Sequence, residues 1–191
     1  MNAKRFAISL GCLGTALAAL ASWSSVTLAD DEHAHASVDK HKRGAGELVK
    51  VVRETTARYR DVAVAEAEGY YLNFGCVSGS EWGAMGLHYV NMERVGDAKL
   101  DPTRPEIVIY EPLPNGGRRL IGADYLVLAA DWHASNAAAP KLAGQLMHLI
   151  ESPNRYGLPA FYTLHVWAWK DNPNGSFVNW HPNVSCDQFE E

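Results

Sequence analysis

The sequence predicts an α+β domain, an antiparallel β-sheet of about four to six strands packed by two helices, with a small closed β-barrel as the alternative. Three features carry this expectation. Two β-branched runs flank an Asn115-Gly116 turn, an aromatic run extends from Phe161 to Trp169, and an amphipathic segment of helical period precedes both. With 47% hydrophobic and 20% charged residues in a chain of 191, the composition is that of an ordinary globular protein. Seventeen Lys and Arg against 22 Asp and Glu leave a net charge of −5, so the chain lacks the basic footprint that nucleic acid requires.

The chain opens with Lys4 and Arg5, an apolar stretch from Phe6 to about Ala21, and the small-residue site Thr27-Leu28-Ala29 before Asp30. This pattern predicts a cleaved signal peptide over residues 1–29 and a secreted or periplasmic protein. The apolar stretch is shorter than the ~20 residues a spanning helix needs, so no stable membrane insertion is expected after cleavage. Residues 30–45 are polar and aperiodic and predict a flexible leader holding His33, His35 and His41. A short His tract of this kind either wraps a divalent metal or is simply a solvated tail. The remaining residues, 46–191, are expected to form one domain.

Within that domain, Leu48, Val51, Val52, Tyr59, Val62 and Ala65 recur at helical spacing, predicting a helix from Glu47 to about Glu68 capped by Gly69. Met85 to Met92 is a short strand candidate. Ile107 to Tyr110 and Leu120 to Leu128 predict a hairpin across Pro112 to Gly117. Pro140, followed by Leu142, Leu146, Leu149 and Ile150, predicts a second helix ending at Ser152-Pro153. Phe161 to Trp169 predicts a strand ending in the turn residues Asp171 to Gly175.

Two cysteines follow the signal segment, Cys76 and Cys186, and an even count in an oxidising compartment predicts a disulfide between them. Such a pair is neither a nucleophile nor a thiolate ligand. The competing reading leaves two free thiols open to copper or zinc.

Motifs for phosphate-cradling loops, dinucleotide binding, serine hydrolases, His-Glu-x-x-His metalloproteases and Cys-x-x-Cys chemistry are absent from the sequence. What remains is histidine within aromatic strands. Alternation puts Phe161, Thr163, His165, Trp167 and Trp169 on one face, and His88 sits in a similar setting in Met85-Gly86-Leu87-His88-Tyr89. A buried imidazole needs a carboxylate, a carbonyl, a ligand or a metal as partner. The hairpin offers two inward carboxylates, Glu111 and Asp124, of which Glu111 is the expected partner.

His88, His165 and Glu111 then predict a three-ligand site with an open position, suited to a divalent transition metal such as zinc or copper, or iron. Two other readings stand beside it. The same trio can work as a metal-free acid–base pair in a small periplasmic hydrolase or isomerase, or it can be a structural histidine bonded to a buried acid in an interaction module without a small-molecule site. Tyr110, Trp167, Trp169 and Trp180 are candidates to line a ligand pocket, against the alternative that they are core and rim.

Met85-Gly86-Leu87-His88-Tyr89-Val90-Asn91, Asp101 to Glu106 with Tyr110-Glu111-Pro112, and His165-Val166-Trp167-Ala168-Trp169 with Asn172 to Phe177 and Trp180 to Cys186 together make a specific pattern. Over roughly residues 55–188 the chain resembles an uncharacterised family of small exported bacterial proteins. The resemblance implies an envelope or secreted location. It carries no activity, cofactor or catalytic residue.

Overall fold

The computed structural model describes residues 44–79 and 81–190. The expected signal peptide, residues 1–29, and the leader histidines His33, His35 and His41 lie outside the described residues. Gly44 and Ala45, expected at the end of the leader, are already helical.

Helix α1 (44–56) buries Leu48 and Val52 against Ala123, Tyr125, Val127, Leu164 and Val166 of the sheet. The single helix expected to run on to Glu68 is instead broken. The Thr55 and Thr56 hydroxyls bond back to the Val51 and Val52 carbonyls, a 3₁₀ turn follows at Ala57–Arg60, and Asp61 has extended backbone. Its side chain accepts from the Ala63 amide and starts helix α2 (Val62–Ala67). Gly69, at φ +87°, closes α2 as the sequence predicts, with the Tyr70 amide donating to the Ala65 carbonyl.

Six strands form one antiparallel sheet. They are β1 (Tyr71–Gly79), β2 (Gly83–Val90), β3 (Ile107–Pro112), β4 (Arg118–Leu128), β7 (His148–Ile150) and β8 (Phe161–Val166), in the order β1-β2-β3-β4-β8-β7. Helix α3 (Met92–Gly96) follows β2, and helix α4 (Ala129–His133) follows β4. The β3–β4 hairpin turns at Leu113 to Gly117, where the Asn115 side chain accepts from the Gly117 amide and Gly116 takes φ +73°. The sheet curls into a half-barrel and stays open, with β1 and β7 as its edges, so the α+β architecture holds and the closed barrel does not.

The helix expected from Pro140 is replaced by short strands. Strands β5 (Lys141–Leu142) and β6 (Gln145–Leu146) pair across a tight turn in which Ala143 and Gly144 have φ of +47° and +83°; β7 then adds to the edge of β8. Two successive left-handed residues make a two-residue hairpin, which no helix can contain.

Side chains on the convex face form the cores beneath α1 and α2, the latter including Tyr59, Tyr70, Tyr89 and Tyr110. The concave face holds Ile107, Ile109, Leu126, Phe161 and Trp167. Cys76 on β1 and Cys186 in the C-terminal segment form a disulfide, with Cα atoms 5.7 Å apart. No helix among the described residues is long and apolar enough to cross a membrane.

Candidate metal centre

Strand pairing decides which polar side chains meet on the concave face. Asp124 of β4 lies opposite His165 of β8 on one side and Ile107 of β3 on the other, while His88 of β2 lies opposite Ile109 of β3. His88 and His165 are thus three strand spacings apart, roughly 14 Å along a flat sheet. Their Nε2 atoms are 3.4 Å apart. Only the curl of the sheet brings them together. Two glycines permit the tight backbone approaches around them: a Cβ on Gly86, at φ +95°, would stand 2.5 Å from the Tyr110 carbonyl oxygen, and a Cβ on Gly122 would stand 2.5 Å from that of Val166.

One ligand atom from each of His88, Asp124 and His165 lies within 4.8 Å of the other two, and all three residues are buried. Nδ1 of His88 is 3.1 Å from the Gly86 carbonyl, so it carries the proton and donates, leaving the Nε2 lone pair free. Asp124 accepts hydrogen bonds from the Thr163 hydroxyl at 2.7 Å and the Leu164 amide at 3.1 Å. Nδ1 of His165 stands 3.4 Å from the Asp124 carboxylate but has no hydrogen-bond partner.

Both neutral tautomers of His165 are unfavourable here. With the proton on Nδ1, facing Asp124, two bare Nε2 lone pairs oppose each other at 3.4 Å. With the proton on Nε2, a bare Nδ1 lone pair faces the carboxylate instead. Either way one contact of the cluster lacks a bridging positive charge, which a metal ion or a proton held between Asp124 and His165 supplies. Protonation is opposed by burial, which pulls the imidazole of His88 down to about 4, with His165 adding repulsion, and that of His165 down to about 3. Burial also pushes the Asp124 carboxyl up to about 6, against the hydrogen bond from Thr163. Near pH 7 the cluster therefore holds two neutral imidazoles and a mostly ionised carboxylate, the protonation state a metal needs.

No family model, curated protein or solved structure matches this chain. What the site can do is therefore read from its own residues.

Glu111 does not join the histidines. It is the penultimate residue of β3, directly opposite Arg119 on β4, and is held by Arg119 and by Lys170, whose Nζ is 2.5 Å away. Burial alone would raise its carboxyl; the hydrogen bonds from Lys170 and Arg119 hold it below the ordinary value. This pairing was legible, because two residues facing each other beside a hairpin loop are set by the loop length. The contact of Asp124 with His165 joins positions 41 residues apart, and no local signal announces it.

The four aromatic pocket candidates have other duties. The Tyr110 hydroxyl donates to the Tyr59 carbonyl in the convex core, and the Trp167 indole donates to the Val178 carbonyl within the concave core. Trp169 donates to Thr56 at the end of α1, and Trp180 packs over Gly79. The pocket above the cluster has a volume of about 50 Å³ and is walled instead by Met85, Leu126, Phe161 and, at its partly exposed rim, Phe74, Tyr156 and Leu158. Asn179 also lines it, and its Oδ1 is buried without a partner. Neither Phe74 nor Asn179 sits in a patterned run, so sequence reasoning had no handle on them. His181, by contrast, is satisfied by the Asp171 carbonyl and the Asn183 amide.

Proposed function

We propose that the protein is an exported metal-binding protein that holds one divalent transition metal through His88, His165 and Asp124. The observation that carries this is the unpaired charge of the cluster: two lone-pair nitrogens 3.4 Å apart beside a buried carboxylate with no cation. Two nitrogens each ~2.05 Å from a tetrahedral ion stand roughly 3.3 Å apart, whereas neighbouring ligands of an octahedral ion stand roughly 2.9 Å apart. A tetrahedral ion such as zinc accepts this spacing, with the carboxylate, within 4.8 Å of the nitrogens, closing in on binding. Three protein ligands leave a fourth position open, the arrangement of a working rather than a closed structural site. The disulfide and the N-terminal pattern of residues 1–29 support export.

The test is the metal content of mature protein purified from the periplasm without a His-tag. Near-stoichiometric metal that survives deletion of the leader but disappears in a His88→Ala/His165→Ala variant is the expected result. Metal lost with the leader alone would overturn the proposal. A second reading, metal-free acid–base catalysis, draws on the contact of His165 Nδ1 with Asp124 at 3.4 Å, because a proton can supply the missing charge. It is favoured if no sample holds metal.

A further inference from the structure

Resting on the metal reading only for the ligand's charge, we propose that the cleft above the cluster binds a small neutral apolar molecule carrying one hydroxyl, phenols above all. Its ring lies against Phe161 and the Phe74–Tyr156 rim, and its hydroxyl hydrogen goes to Asn179 Oδ1. The walls of the cleft, an unpaired acceptor in it and the build of its rim point to this separately.

The walls are apolar almost throughout. Met85, Ile107, Leu126, Ile150, Leu158 and Phe161 line the cleft, which is half open and, counted out to its mouth, holds about 420 Å³ free of protein atoms. An apolar cleft with a few convergent polar groups is the usual form of a small-molecule site. An open mouth sets no sharp limit on size, so the chemistry of the lining decides what fits. No Lys or Arg lines it, so an anion would lose its hydration without gaining a counter-ion. The positive charge that the cluster lacks is the metal's in the reading above, and that charge turns an ammonium away as well.

The donors beside the cluster are spent inside the protein. Nδ1 of His88 donates to the Gly86 carbonyl, the Thr163 hydroxyl to Asp124, and the Tyr156 hydroxyl to Met85 Sδ, 3.6 Å away. Besides His165 Nδ1, the atom of the cleft left buried and unpaired is an acceptor, Asn179 Oδ1. A site with such an atom prefers a ligand that brings a hydrogen to one of like shape that does not. The rim favours a ring. Phe74 stands in a β-bulge between Asn73 and Cys76 at φ +67°, a costly backbone for a bulky residue, and is 40% exposed all the same. Strain of this kind gathers at ligand clamps. The Phe74 ring meets that of Tyr156 edge to face at 5.5 Å, and Tyr156 meets Phe161 in the same way at 6.0 Å. This row of rings offers a further ring the same contact.

The experiment titrates the mature protein, purified without a tag, with one-ring probes followed by ligand-observed NMR, and zinc content is measured on the same sample. 4-Methylphenol is expected to bind at least tenfold more tightly than toluene and 4-methylanisole, which bracket it in size and lack the hydroxyl hydrogen. The same margin is expected over benzylamine and benzoate, which are charged. Asn179→Leu is expected to erase the preference over toluene and 4-methylanisole while the urea midpoint holds or rises, because an unpaired polar atom is removed. Phe74→Ala is expected to weaken 4-methylphenol and toluene alike. Equal binding of toluene or 4-methylanisole, tighter binding of either charged probe, a preference that survives Asn179→Leu, or no binding of any probe would each overturn the inference. A lower midpoint in Asn179→Leu would overturn it too, by showing that Asn179 serves the fold. Zinc present without 4-methylphenol binding leaves the metal reading standing, whereas zinc absent with binding intact overturns that reading alone.

Discussion

At the scale of residues, one carboxylate partner was exchanged for another. Glu111 near the end of β3 and Asp124 within β4 each share a face with apolar residues, so alternation alone gives them equal standing. The cross-strand neighbour separates them: Arg119 for Glu111, His165 for Asp124. Asp124→Asn and His88→Ala are each expected to weaken zinc binding by about 100-fold or more, since replacing even an outer-shell partner costs 10–100-fold. Glu111→Gln should leave zinc affinity unchanged in the same calorimetric titration. Glu106, outside the cluster but near enough to feel the Asp124 charge, gives a second pH signature. Only 1% exposed, its carboxyl accepts from the Leu126 amide, and burial pushes it up from 4.5 to about 8. Between pH 4.5 and 8 the folded chain holds a proton that the unfolded chain has lost. Stability therefore falls as pH rises through this window, by at most about 1.4 kcal/mol per pH unit. Below about pH 6.5 the neutral folded His88 and His165 oppose this slope, so urea midpoints between about pH 6.5 and 8 should show it, and Glu106→Gln should flatten it.

At the scale of elements, periodicity read well where one neighbour dominates and failed where the backbone turned. The buried stripe of α1 and the β3–β4 hairpin are as the pattern requires, because each depends on local spacing or a local turn. The segment after Pro140 has apolar residues at helical intervals, yet Ala143 and Gly144 turn it into a hairpin and β8 offers it an open edge. Pairing with a strand already in place outweighs weak helical propensity. Strand β4 carries a related constraint at Gly122, where any side chain would strike the carbonyl of Val166. Gly122→Ala is expected to lose about 1–3 kcal/mol, an overpacking cost read from denaturant unfolding. An unchanged midpoint would mean that β8 can move aside without loss.

At the scale of the whole molecule, the curl of the sheet makes the site and the disulfide ties down its end. The bridge from Cys76 to Cys186 closes a loop with a sequence separation of 110. Replacing both cysteines by serine is expected to cost about 2–5 kcal/mol in chemical unfolding while zinc stoichiometry stays at one, because neither sulfur belongs to the His88–Asp124–His165 cluster. Loss of zinc along with the bridge would show that the C-terminal segment, and not the sheet alone, holds the site in shape. The α+β class, the hairpin, the buried stripe at the start of the first helix, the cysteine pair and the two histidines were legible in the sequence alone. Each of these follows from composition, from contacts a few residues apart, or from a count. The third member of the cluster, the break of the first helix at Asp61, the strands after Pro140, and a pocket walled by Phe74 and Tyr156 rather than by the tryptophans emerged with the three-dimensional packing. These depend on register between distant strands and on how far the sheet bends, and both are set by packing across the whole chain.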